Sequence, residues 1–566
     1  MRRLAAAIAV LVLAACGGGG GGGSGGSSGP KPTAAEASRF LTQATFGPTP
    51  AGIDRVSNSS YETWINQQIA GAPHNQTHLA YIDARLAEFR RADPNASISD
   101  NQFYESWWLQ AVVGGDELRQ RMKFALSQIF VISLNDDSID TRGAASYYDM
   151  LGRNAFGNFR TLLEDVTLHP MMGRYLTYLA NQKESGTRSP DENYAREIMQ
   201  LMTIGLYELN ADGTVRLNAQ NQPIPTYTSA DISGLARVFT GLSWYNPTPT
   251  ATTFFGGGRD ESREVRPMIF YPQYHSTSAK TFLGVTIPAS STVDVAGDLR
   301  IALDTLFNHP NVGPFIAQRL IQQFVTSNPS PAYVGRVAAV FNNNGQGVRG
   351  DLGAVVKAIL LDQEARSAST ADGAGYGKLR EPLIRMTNWM RAFGVSSQTG
   401  NWLVPLTAGN QSLGQAPLSS PSVFNFWRPG YVPPATTEMG QRSLLAPEFQ
   451  IVDEVTVASY INTMSSAVDQ GFGNTPPGGS GRDMRTSYSA EVALAETPTA
   501  LIDRVDLLLT SGRMSQTLRQ RILDAVNAIA IPGGSATQAQ IDNARLNRVK
   551  TAVLFTMASP EYLVQR

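Results

Sequence analysis

The chain has 566 residues, with 46 Lys or Arg against 47 Asp or Glu, so its formal net charge is -1 at pH 7. Hydrophobic residues make up 42% and charged residues 16%, which excludes general disorder, because disorder needs low hydrophobicity and high net charge. The balance also argues against a nucleic-acid binder, which carries a basic excess, and a single cysteine excludes a disulfide framework or a cysteine-based zinc cluster.

The first element is a targeting signal. Arg2 and Arg3 precede an apolar run from Leu4 to Leu13, too short for a permanent span, which needs about 20 residues. The run ends Leu13-Ala14-Ala15-Cys16, which resembles the lipobox of bacterial lipoproteins. The resemblance implies a signal peptide over residues 1–15, lipidation of Cys16 (palmitate among the acyl chains) and anchoring in a membrane. Gly17 after the cysteine implies an outer-membrane lipoprotein of the cell envelope, periplasmic or surface-exposed. Residues 16–32 then form the lipidated cysteine and a Gly/Ser tether, a flexible coil by composition. No later segment has 18 uncharged apolar residues.

The body reads as mainly α: a large multi-helix domain with long irregular loops and at most a minor β-hairpin. Its length alone allows three or four domains, or one large domain with insertions. Apolar residues at helical spacing predict helices over 34–45, 60–69, 78–90, 101–113 and 116–133. Pro190-Asp191-Glu192 starts a helix expected to reach about Glu208, and Ser229 opens another to about Leu242. Residues 244–287 are rich in Gly, Pro and aromatics and read as an irregular excursion with a short hairpin at Pro267–Tyr271. Helices resume over 298–307, 313–326, 331–342, 351–361 and 379–393. An irregular stretch over 403–434 precedes a helix over 447–468. The main body thus covers 33–469. A Gly/Pro-rich linker or loop covers 470–490. A C-terminal helical segment, 491–566, is expected to pack on the body through helices at 497–509, 515–530 and 538–557.

Chemistry-bearing residues concentrate in two places. Asp191, Glu192 and Glu197 put three carboxylates within seven residues, with Glu192 and Arg196, and Asn193 and Glu197, one turn apart. Acids in a first turn complement the helix dipole, but Glu197 lies beside Ile198, Leu201 and Met202, where a carboxylate must be paired or protonated. His275 lies in the irregular excursion, five residues before Lys280. These residues give a catalytic set of Glu197, His275, Glu192 and Lys280. Asn193, Arg196, Asp191 and Trp244 are expected to bind substrate. His169 and His309 precede prolines and read as turn residues; His74 and His78 read as surface. No HExxH, calcium loop, GxSxG elbow or P-loop occurs, so no metal and no cofactor is expected.

Several stretches together resemble the bacterial domain-of-unknown-function family 1800 over roughly Ala34 to Arg566. They are Ala37–Gly47, Asp191–Glu208, Tyr227–Trp244, His275–Gly284, His309–Val325 and Pro417–Pro429. The resemblance implies little about activity. It does imply a neighbouring secreted protein similar to alkaline phosphatases and sulfatases. Two functions are expected. One is an extracytoplasmic enzyme, a hydrolase or lyase acting on a polymer such as polysaccharide. The other is a non-catalytic binding or scaffold protein working with the phosphatase/sulfatase-like partner.

Overall fold

Thr33 opens the first helix, Ala34–Ala44, with a reciprocal cap. Its hydroxyl accepts from the Glu36 main-chain N–H while the Glu36 carboxylate accepts from the Thr33 N–H, satisfying two donors that a helix start leaves without partners. A one-sided cap, in which the side chain accepts from a first-turn N–H, recurs at Ser60 before Tyr61–Ala70, Thr77 before His78–Ala92 and Asp351 before Leu352–Leu361. The computed structural model describes residues 31–566. The expected signal peptide, Cys16 and nearly all of the tether lie outside the described residues.

The fold is mainly α. Strand pairing among the described residues amounts to four antiparallel two-stranded ladders of two or three residues each and a few isolated bridges. A single hydrophobic core runs from Ala37 to Tyr562, with Trp64, Trp107, Trp108 and Trp389 fully buried in it. The length therefore serves one continuous core. Among the described residues no helix is long and apolar enough to cross a membrane.

Several expected elements differ in detail. Three helices, Thr141–Arg153, Phe159–Leu168 and Pro170–Tyr175, fill a stretch read without elements. The helix expected from Pro190 to Glu208 is a short α-helix, Asn193–Glu197, that widens into a π-helix, Ile198–Thr203. It stops there because Gly205 takes φ +73°, a left-handed conformation that glycine adopts without steric cost. The strand Ile269–Phe270 does not form a local hairpin; it pairs with Leu242–Ser243. The local hairpin is Lys280–Phe282 with Val285–Ile287, turned at Leu283 and Gly284, both at positive φ as a tight primed turn requires.

The Gly/Pro-rich stretch near 470–490 is a loop tied to the body. Asp483 is fully buried and accepts from the Ser397 hydroxyl and from the Thr399 and Leu403 N–H groups. The C-terminal segment packs on the same core and ends in strand Val564–Gln565, paired with Lys378–Leu379.

Candidate functional site

The residues around Asn193–Glu197 form a polar surface cluster. Asp191 accepts from the Asn193 N–H at 2.8 Å and from the Thr177 hydroxyl at 3.0 Å. Thr177 holds φ +61°, an outlier for a β-branched residue and a form of strain that gathers at functional sites. Glu192 accepts from the Ser233 hydroxyl at 2.5 Å and sits 3.6 Å from Arg196, a half-exposed pair. Glu197 points the other way. It is 8% exposed and its Oε2 has no hydrogen-bond partner among the described residues. Burial pushes its carboxyl above the usual range, and Arg196 pulls it partly back.

His275 and Lys280 meet on a carboxylate absent from the sequence-based set, Asp298. His275 Nε2 lies 2.9 Å and Lys280 Nζ 2.8 Å from Asp298 Oδ2. His275 Nδ1 faces the Thr240 carbonyl at 2.7 Å; a carbonyl only accepts, so Nδ1 carries a proton. Lys280 also donates to Ser276 O at 2.7 Å. His275 and Lys280 are buried and Asp298 is partly so, and together they clamp the loop and the hairpin onto the helix Val295–Asn308. The segment Thr177–Glu184 ties this cluster to the first. Its Thr177 end holds Asp191, and at its other end Glu184 accepts from the Ser276 hydroxyl at 3.0 Å. Trp244 is buried, with the guanidinium groups of Arg263 and Arg174 at 4.4 and 5.5 Å from its ring.

Titratable groups meet a cavity elsewhere, in the C-terminal third. A cavity of about 300 Å³ lies between the helices Pro382–Ala392 and Glu454–Gln470 and the C-terminal segment. Leu379, Leu413, Phe449 and Val457 give it an apolar wall, and Glu448, Arg385 and Tyr460 supply its polar groups. Glu448 comes from the 3₁₀ turn Pro447–Ile451. Its Oε1 lies 3.0 Å from Lys378 Nζ, which is 3.7 Å from Glu381 Oε1. Glu381 is fully buried and accepts from Gln128 and Gln415, both at 2.8 Å.

A family model described as a protein of unknown function, DUF1800, matches residues 39–564. The chain belongs to the DUF1800 family. No curated protein and no solved structure matches it.

In this DUF1800 body, Glu448 joins a buried, perturbed carboxyl to a cavity wall. Its Oε2 is buried without a hydrogen-bond partner among the described residues. Burial raises its pKa most; Lys378 lowers it and the nearby Glu381 raises it further. Such a carboxyl stays partly protonated where ordinary glutamates are ionised, so it can give a proton or take one back. Arg385 packs over the Tyr460 ring at 4.8 Å, and burial pushes the Tyr460 hydroxyl up to about 12, which keeps it a neutral donor. Sequence reading missed this site because Lys378, Glu381 and Glu448 converge only in the folded chain. The one local signal is charge density: Lys378, Arg380, Glu381 and Arg385 crowd the start of an otherwise apolar helix.

Proposed function

We propose that this DUF1800 protein is a lipid-anchored enzyme of the cell envelope, a hydrolase or lyase, whose acid–base group is Glu448. Glu448 lines a mostly apolar cavity and its buried Oε2 has no hydrogen-bond partner among the described residues, and this carries the reading: a largely apolar pocket with few convergent polar groups and a perturbed carboxyl is the usual form of a small-molecule site. At about 300 Å³ the cavity admits a small substrate, or one terminal or side group of a polymer. Its lining suits an apolar group joined through an oxygen linkage better than a bare sugar ring. Lys378 holds the Glu448 carboxylate in place, and Arg385 supplies positive charge for an oxyanion. The envelope location rests on Arg2, the Leu4–Leu13 run and Cys16; labelled palmitate should enter the wild type and not Cys16→Ser.

The decisive experiment is turnover of a panel of nitrophenyl esters, glycosides and phosphates by the wild type, Glu448→Gln and Glu197→Gln. Loss of the acid–base group should cost Glu448→Gln about 10²–10⁴ in rate, with Glu197→Gln near wild type. The reverse pattern moves the reacting group to Glu197 on the Asn193–Glu197 helix and away from Glu448. If the wild type turns over nothing on a broad panel while binding the phosphatase- or sulfatase-like partner stoichiometrically, the enzyme reading fails and the scaffold reading replaces it.

A further inference from the structure

A second cavity, of about 490 Å³, lies across the C-terminal strand from the first and shares Pro560 and Val564 with it. Four arginines line it, Arg39, Arg380, Arg513 and Arg566, together with hydroxyl-bearing Thr42 and Ser511. Its two carboxylates are already engaged: Asp372 pairs with Arg513 at 2.5 Å, and Glu561 accepts from the Ser515 hydroxyl at 2.5 Å.

Two of the arginines are buried and incompletely satisfied. Arg39 donates from Nε to the Arg566 main-chain oxygen at 2.9 Å and from Nη1 to the Arg366 carbonyl at 3.0 Å. Arg380 donates from Nη1 to the Leu509 carbonyl at 3.2 Å and lies 4.8 Å over the Tyr562 ring. Arg39 Nη2 and Arg380 Nε remain buried without an acceptor among the described residues. Main-chain oxygens fix the orientation of both guanidinium groups, and neither group forms a salt bridge to an Asp or Glu side chain among the described residues. An unpaired buried charge is costly, and an anion relieves that cost. Burial lowers the pKa of both arginines, and Arg513 near Arg39 adds repulsion. Arg513 reaches the same space from the loop after the π-helix Asp506–Thr510, where Ser511 and Gly512 take positive φ.

We propose that this cavity binds a tetrahedral oxyanion, a phosphate or a sulfate, held by the guanidinium groups of Arg39, Arg380 and Arg513. Several guanidinium groups converging on one space suit such an anion, because their planar forks form paired hydrogen bonds to its oxygens. The cavity is larger than the ion alone, so it has room for the organic group of an ester. The site does not depend on Glu448 or on turnover.

The test is thermal unfolding and calorimetry of the whole chain with inorganic phosphate, inorganic sulfate, glucose 6-phosphate and a sulfated monosaccharide. Chloride at equal ionic strength is the reference, because non-specific screening acts in both. The oxyanions should raise the melting temperature, as ligands of the native state do. Arg513→Gln removes a partly exposed side chain and leaves the buried pair in place. It should weaken binding about tenfold, equivalent to ~1.4 kcal/mol; Arg380→Met should abolish binding where it folds. Equal binding of ions and esters identifies a free oxyanion as ligand, and tighter binding of an ester identifies an esterified one; both support the site. No stabilisation beyond chloride, or an unchanged affinity in Arg513→Gln, overturns it.

Discussion

Lys123 shows at the level of one residue how much burial this fold imposes on charge. Its ammonium is 2.8 Å from His78 Nε2 and 3.2 Å from Gln110 Oε1, and lies 4.8 Å over the Tyr148 ring. His78 in turn contacts the Ser106 hydroxyl at 2.7 Å through Nδ1. Burial pulls the Lys123 pKa down to about 8 from 10.5, with Asp149 and Asp116 opposing. The sign follows from proton counting: between those two values the unfolded chain holds a proton that the folded chain has released, so stability rises with pH there. Below about pH 8 the folded state bears the whole penalty, on the order of 3 kcal/mol. Lys123→Met removes this titration. Urea unfolding of both proteins near about pH 7 and about pH 10 should therefore show the wild type gaining roughly 2–3 kcal/mol on the variant. A difference that does not move with pH would mean that Lys123 keeps its proton in the fold. His78 and Lys123 also show what the sequence left hidden: His78 reads as a surface residue but is fully buried, because its contacts to Ser106 and Lys123 come from other helices.

At the level of elements, most helices were legible and the elements around the site were not. Helices such as Ala34–Ala44 and His78–Ala92 announce themselves through a hydroxyl cap and a periodic apolar face. Thr141–Arg153, in a stretch read without elements, carries two glycines that serve close packing: a Cβ would meet Met171 Sδ at 2.5 Å at Gly143 and Lys123 Cδ at 3.0 Å at Gly152. Widening into a π-helix after Glu197, and again at Asp506–Thr510, leaves no pattern in composition, yet such widening is frequent at functional sites. The carboxylate pattern at Asp191–Glu197 was legible, and so was the burial of Glu197 beside Ile198 and Met202; that its Oε2 finds no hydrogen-bond partner among the described residues was not, because this depends on the packing of other elements.

Packing at the helix Ser229–Val238 gives an element-scale test. Gly234 faces the hairpin so closely that an added Cβ would lie 1.8 Å from Thr281 O. Helix propensity alone would make alanine there favourable by about 1 kcal/mol. Steric conflict wins, since a backbone carbonyl in a paired strand cannot swing aside, and overpacking costs roughly 1–3 kcal/mol or more. Gly234→Ala should lower stability by at least that amount in urea unfolding and loosen the His275–Asp298–Lys280 clamp beyond it. A stabilised Gly234→Ala would show that helix and hairpin separate at little cost.

At the level of the whole molecule, the last seven residues join regions far apart in sequence. The Tyr562 hydroxyl donates to Arg385 O at 2.6 Å, and Gln565 Nε2 donates to Phe324 O at 2.8 Å and Val325 O at 3.1 Å. Strand Val564–Gln565 completes the ladder with Lys378–Leu379, the segment that also carries the Glu448 partner. Pro560 and Val564 stand between the two cavities, so one short strand walls both the proposed acid–base site and the proposed oxyanion site. Removing residues 560–566 should cost about 3 kcal/mol or more from the loss of fully buried Tyr562 alone. It should also abolish oxyanion stabilisation and turnover together, because the two spaces merge and Lys378 loses its strand partner. Point variants separate these effects: Arg513→Gln should affect only the oxyanion site, and Glu448→Gln only the chemistry. Unfolding of the truncated chain with and without phosphate tests the link. A truncated chain that keeps wild-type stability and phosphate response would show that the C-terminal strand closes neither cavity.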